Sequence, residues 1–171
     1  MEPYLISEIC KLRNARVKNE LKEYAWGDDR NRKFKINKSA TLCEVIQNQR
    51  EIEATFIFDI TKNKSTVVNI YFENRRPYPF YPPKIKLFGH YNYHGTLGLI
   101  NLKLLNINSK RCLCCESLLC KNNWSVGHTI GDLFDEIKKN LILKMRTIDL
   151  INCKHIVEQK FGHYVPIDTF L

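Results

Sequence analysis

The sequence is poor in the features that would mark it for a membrane, a fibre or disorder. No apolar run approaches the roughly 18–20 residues of a membrane span. The opening Met1-Glu2-Pro3-Tyr4 lacks a basic segment followed by an apolar one, so no secretory signal is expected. Seven glycines and six prolines among 171 residues exclude collagen-like repeats and Gly/Pro-rich low complexity. Acidic residues are scarce as well: 18 Asp and Glu stand against 27 Lys and Arg, for a net charge of +9. That excess fits an acidic partner surface or nucleic acid, and equally a solvated basic exterior. What remains, 44% hydrophobic and 11% aromatic residues, is the composition of a globular chain. The length suits one domain, able to bury close to ~70% of its unfolded surface without staples. The expectation is a soluble intracellular protein, cytoplasmic or nuclear, with no membrane partner.

Cysteine is the exception to this scarcity. There are seven, and four crowd together as Cys112, Cys114, Cys115 and Cys120, while Cys10, Cys43 and Cys153 are scattered among apolar neighbours. An odd count without a secretory signal argues for thiols, a metal site or a nucleophile rather than a disulfide framework. Three readings follow. One is a catalytic thiol among bystanders. Another is a structural zinc site on Cys112, Cys115 and Cys120 with His90, His94 or His128, although only one Cys-x-x-Cys hook is present. The third is a set of small hydrophobes with no chemistry.

Periodicity supplies the elements. Leu5, Ile9, Leu12, Val17, Leu21 and Tyr24 predict a helix over residues 5–24. Residues 28–40 are basic and read as a loop or a short edge strand. Strict alternation predicts strands over Glu51 to Ile60 and Thr66 to Phe72, joined as an antiparallel hairpin. The proline cluster from Pro77 to Pro83 cannot be helix interior or central strand. Ile85 and Leu87 resume a short strand, and residues 89–111 read as a long loop with short extended pieces. Thr129 is a good N-cap, with Asp132 completing a capping box, for a helix carrying Ile130, Leu133, Phe134, Ile137 and Leu141. A separate last helix is expected from about Ile148 to Phe161. Helix, antiparallel strands, proline turn, loop and helices in that order make an α+β arrangement.

The proline turn carries more than punctuation. Tyr78-Pro79-Phe80-Tyr81-Pro82-Pro83-Lys84 resembles, at every position, the Tyr-Pro-Phe-x-Pro-Pro-Lys turn of the ubiquitin-conjugating enzymes. Arg16-Val17-Lys18-Asn19-Glu20-Leu21 is similar to that family's first-helix motif, with one Lys replaced by Asn. Trp124-Ser125 and Thr129-Ile130 stand where the family has Trp-Ser-Pro and a helix-opening Thr-Ile, with Val126 in place of the proline. The resemblance covers roughly residues 10–141. It implies the ubiquitin-conjugating-enzyme-like fold over a core of about 5–145, with a divergent helix and tail over 146–171.

At the active-site motif the likeness is thinner. Asn106 to Cys114 fits the family frame with Cys114 as nucleophile and Asn106 as the motif's asparagine. Leu104-Leu105 stand where His-Pro would be, unless His94 is the motif's histidine with an insertion after it. Cys112 and Cys115 are alternative nucleophiles. The resemblance implies an enzyme that carries ubiquitin, or a ubiquitin-like protein, as a cysteine thioester and passes it to lysine amines of a protein substrate. Asn106 would stabilise the oxyanion of aminolysis, a donor typically worth about 100–1000-fold. A ubiquitin ligase would touch Phe80, Val126 and Gly127, and the ubiquitin-activating enzyme would read Arg13, Arg16 and Lys18. No cofactor is implied. The rival reading is a catalytically inactive relative that serves as a ubiquitin-binding or ligase-adaptor module. Nucleic-acid binding through residues 30–38 has only charge behind it and is not expected.

Overall fold

The computed structural model describes residues 7–8, 11–25, 40–98, 100, 105 and 112–162. The first long element is helix α1, Ala15–Ala25. It does not run unbroken from residue 5, because residues 12–14 are not helical. Asn14 fixes the start: its Oδ1 accepts from the amides of Arg16 and Val17 at 3.0 and 3.1 Å, satisfying donors that a helix N-terminus leaves open. Val17 and Leu21 are fully buried.

Five strands follow, β1 (Ala40–Gln47), β2 (Glu51–Thr61), β3 (Lys64–Glu73), β4 (Lys84–Leu87) and β5 (Tyr91–Asn92). They form one antiparallel meander in sequence order. The expected β2–β3 hairpin is present, and tighter than expected, because Thr61 pairs directly with Lys64. β1 had no counterpart in the sequence reading. Its register shifts between Leu42 and Glu44, so Leu42 and Val45 are buried while Cys43 and Glu44 both face out. A bulge of this kind breaks the period of two that would have betrayed the strand.

Residues 89–111 hold an expected short extended piece and an unexpected helix. These are β5 and a short helix α2, Tyr93–Leu97, held down because Tyr93 and Leu97 are buried. A one-turn helix α3, Leu113–Glu116, lies in the cysteine-rich stretch. The two expected C-terminal helices are one: α4 runs over Ile130–Phe161. Nothing between Leu141 and Ile148 is a glycine or proline, so no residue there ends a helix. Gly162 stops it in the left-handed conformation, φ 65°. Among the described residues no helix is long and apolar enough to cross a membrane.

The helices lie on one face of the sheet. Ala54, Phe56 and Phe58 of β2, with Val68 and Ile70 of β3, pack in one core with Val17 and Leu21 of α1 and Ile130, Phe134 and Ile137 of α4. The ring of Phe134 stacks on Phe58 at 5.2 Å and meets Phe56 and Tyr24 edge-on at 4.9 and 5.4 Å, geometries that aromatic quadrupoles favour. This is the expected α+β architecture: an N-terminal helix, a five-stranded antiparallel sheet and a C-terminal helix.

The start of α4 is fixed by a reciprocal cap. Asp132 N donates to Thr129 Oγ1 at 3.2 Å, and Thr129 N donates to Asp132 Oδ2 at 2.8 Å. Thr129→Ala is expected to cost about 1 kcal/mol, read as a fall in Tm of roughly 2–4 °C. An unchanged Tm would mean that packing alone sets the helix start.

Candidate active site

Two carboxylates organise the end of the molecule where α4 begins. Glu20 sits on the apolar face of α1, at the spacing of Val17, Leu21 and Tyr24, and is buried. Its oxygens accept from Tyr78 Oη at 2.9 Å, from the amide of Ile130 at 2.8 Å and from Nε of Arg16. One side chain therefore joins the first helix, the proline turn and the first amide of α4. That amide is an unpaired donor at the positive end of the helix dipole, so an anion suits it. Burial, then the charge of Glu20, push the Tyr78 phenol well above its ordinary range, which keeps it a donor. Further bonds close the same junction. Asn14 Nδ2 donates to Tyr78 O at 2.9 Å, and Trp124 Nε1 donates to Pro79 O at 2.7 Å. The Tyr78–Pro79 peptide is cis.

Glu136, nearly two turns further along α4, holds the cysteine-rich turn. It accepts from Ser117 Oγ at 2.7 Å, from Leu118 N at 2.6 Å and from Tyr93 Oη at 3.0 Å. Asn140 donates to Tyr93 Oη at 2.8 Å. Asn123 Nδ2 donates to the carbonyls of Cys115 and Ser117 at 2.7 and 3.0 Å. The ring of His94 reaches the carbonyl of Cys114, with Nε2 at 2.9 Å. The backbone of the turn is thus tied to α2, α4 and the loop before Trp124.

On this tethered turn three thiols meet. Cys112 Sγ is 2.8 Å from Cys114 Sγ and 2.9 Å from Cys115 Sγ. Cys112 and Cys115 are exposed and Cys114 is half-buried. Cys120 is not part of the group. The thiols do not ionise alike. Hydrogen bonds from Cys114 and then Cys115 lower Cys112 to about 7. The same hydrogen bonds with Cys112 raise Cys114, and raise Cys115 to about 12. Of the three thiols, Cys112 is the one that ionises most readily. Cys112 is then more readily ionised near neutral pH than an ordinary thiol, which is only a few per cent thiolate there. The sign is that of an acid with a lowered pKa: the reactive anion appears as pH rises through about 7. Alkylation of chelator-treated protein by iodoacetamide is expected to label Cys112 first, with a rate midpoint near that pH. A midpoint near the ~8.5 of a free thiol would contradict the arrangement.

The residues singled out from the sequence fall unevenly. Cys112, Cys114 and Cys115 come together. Asn106, Leu104, Lys110, Arg111, Cys10 and residues 30–38 lie outside the described residues. The four-ligand zinc set is not assembled: Cys120 stands apart from the other three thiols. His128 Nδ1 instead accepts from Ser125 N at 3.0 Å, and the ring of His90 lies 4.2 Å from that of Tyr91. Phe80 and Val126 are exposed, at 70% and 54%, and the Trp124–Pro79 hydrogen bond ties their two loops together. Arg13 is exposed on the stretch before α1 and Lys18 half-buried on the helix. Arg16 is turned inward onto Glu20, which raises its pKa further.

An open groove of about 690 Å³ adjoins the turn, lined among others by Arg75, Arg76, Lys84, His94 and Lys121 with Glu73. Its cations outnumber its carboxylate, so chain approaching the thiols from that side is favoured if it is acidic.

The sequence had pointed to the cysteines and to Tyr78, but not to Glu136 or Asn123. The available signal for the carboxylate was positional. Glu136 falls at helical spacing beside Leu133, Ile137 and Asn140, so it borders the apolar stripe of α4.

Comparisons of the chain with protein-family models, with curated proteins and with solved structures find no match.

Proposed function

We propose that this protein is a divergent ubiquitin-conjugating enzyme that carries ubiquitin, or a ubiquitin-like protein, as a cysteine thioester and delivers it to lysine amines. The observation that carries the reading is the junction at Glu20. The segments that resemble the family are far apart in sequence, yet this one carboxylate binds all three: Arg16 in the first-helix motif, Tyr78 in the proline turn and Ile130 at the helix opening. The α+β order of helix, antiparallel meander, proline turn, cysteine turn and long helix agrees with the ubiquitin-conjugating-enzyme-like fold. The bond from His94 to the cysteine turn supports His94 as the counterpart of the motif's histidine.

The chemistry follows from the thiols. The frame of the motif favours Cys114 as nucleophile, whereas the hydrogen bonding favours Cys112, and we assign the reacting sulfur to Cys112. Its thiolate attacks the acyl carbon of the modifier's thioester on the activating enzyme; the C–S bond to that enzyme breaks and its thiolate departs. An acceptor amine then attacks the new thioester. Cys112 leaves as thiolate and the amine proton passes to solvent. The S–H groups of Cys114 and Cys115 stabilise Cys112 both as nucleophile and as leaving group. Asn106 is the proposed donor to the oxyanion. Exposed Phe80 and Val126, on their linked loops, are the proposed ligase contact, with Gly127 beside them. Arg13 and Lys18 are the proposed contact for the activating enzyme, and Arg16 positions Glu20.

The test is a charging reaction with ubiquitin, activating enzyme and ATP on reduced, chelator-treated protein. An adduct of one ubiquitin that thiol removes is expected. No adduct from folded protein, across activating enzymes for ubiquitin and its relatives, would overturn the enzyme reading in favour of an inactive binding module.

A further inference from the structure

We infer that Cys112, Cys114 and Cys115 form a binding site for a single soft d10 metal cation, held by three thiolates. Their ligand atoms lie within 4.8 Å of one another, and no other His, Cys, Asp or Glu among the described residues joins the group. Three sulfurs at about 2.3 Å from one ion lie about 3.8–4.0 Å apart. The present separations of 2.8 and 2.9 Å therefore need to open by about 1 Å. Exposed Cys112 and Cys115 can do this by side-chain rotation alone, with the backbone unchanged.

The backbone is what makes this a site rather than a chance grouping. Cys115 and Glu116 donate their amides to the carbonyl of Cys112 at 3.0 and 3.2 Å, and Ser117 donates to Leu113 at 2.9 Å. Asn123, His94 and Glu136 then fix the turn from three directions. Ligand positions held in this way before the ion arrives lower the cost of ordering them on binding. Two exposed thiols on so constrained a turn are poorly explained as core filler.

The chemistry selects the ion. Thiolate ligands favour Cu(I) and Zn(II) over hard cations, and three ligands suit trigonal Cu(I), or Zn(II) with water in an open fourth position. Binding replaces S–H protons, which go to solvent, with metal–sulfur bonds. No electron is transferred. The resulting anionic centre sits in a chain of net charge +9. The inference goes beyond the thioester reading and does not depend on it. Where both hold, a bound ion occupies Cys112 and blocks loading.

Binding is measured with neither activating enzyme nor ubiquitin present. Reduced protein, stripped by chelator, is titrated anaerobically with Zn(II) or Cu(I) against a chromophoric competitor. One equivalent of at least one ion is expected to bind. The ion that binds more tightly identifies the metal, and either result supports the site. Cys112→Ser, Cys114→Ser and Cys115→Ser should each weaken binding about 100-fold or more, while Cys120→Ser leaves the affinity unchanged. X-ray absorption on the loaded wild type should count three sulfur neighbours at about 2.2–2.3 Å, a readout that needs no variant to fold. Absence of stoichiometric binding of both ions, fewer than three sulfur neighbours, or a Cys120→Ser loss as large as the others would overturn the assignment.

Discussion

Glu20→Ala is expected to destabilise the protein by about 2–4 kcal/mol, lowering Tm by roughly 5–15 °C. The effect is large because the side chain serves three donors at once. Without it the Ile130 amide loses its acceptor in a buried setting, and the Arg16 guanidinium loses its counter-charge. Tyr78 Oη keeps the carbonyl of His128 at 3.2 Å and its interaction with Arg16. Arg16 is partly exposed, with 39% of its side chain accessible, so water recovers part of its loss. Glu20→Gln retains one acceptor oxygen and should fall between wild type and Glu20→Ala. The consequence reaches beyond stability, because the proline turn and the start of α4 both hang on this carboxylate. A fall of less than about 2 °C in Glu20→Ala would mean that packing, not the carboxylate, joins them.

The second large effect concerns the sulfurs. Cys112→Ser should abolish thiol-labile charging, a loss of at least about 100-fold, because a serine hydroxyl is scarcely ionised at neutral pH. Cys114→Ala and Cys115→Ala should still charge, but with the pH dependence shifted upward. Each removes one S–H donor from the Cys112 thiolate, so a higher pH is needed to form it. Retained charging in Cys112→Ser with loss in Cys114→Ala would return the reaction to the sulfur that the motif frame favours. All three variants should keep the wild-type Tm closely, since the thiols lie at the surface or only half-buried.

Regular alternation made some of the fold legible. β2 and β3 follow a period of two along almost their whole length, with Ile52, Ala54, Phe56, Phe58 and Ile60 all buried, and the reading of both was correct. β1 follows that period only up to its bulge at Leu42/Glu44, and there the pattern hides it. The capping box at Thr129 was legible because its partners are three residues apart. The far end of the same helix was misread. Ile148, Ile151 and Ile156 are exposed, so their apolar character reflected no second packed element with its own start. The break in the first helix was missed for a local reason: the Asn14 cap interrupts a spacing that otherwise continues through Leu12 and Val17.

The site divides along the same physical line. The thiols are neighbours in sequence, so their meeting is a local event on one turn. The carboxylate junction is not local. Glu20 finds Tyr78 at a separation of 58 residues and Ile130 at 110, and no spacing rule reaches that far. What the sequence did offer was a charged residue on the apolar stripe of α1, which buried carboxylates require partners to explain. The preference among the three sulfurs was equally out of reach, because it depends on which S–H points at which sulfur.

The central claim, that a thiol of this turn forms a thioester with a ubiquitin-like modifier, meets its most direct test in intact-mass analysis of the charging reaction. Chelator-treated wild type is incubated with activating enzyme, ATP and ubiquitin, then measured with and without thiol and digested to locate the adduct. The account predicts a mass increase of one ubiquitin that thiol reverses, with the adduct on the peptide containing Cys112. A folded protein that gains no mass, or that gains a thiol-resistant adduct on a lysine alone, would contradict it.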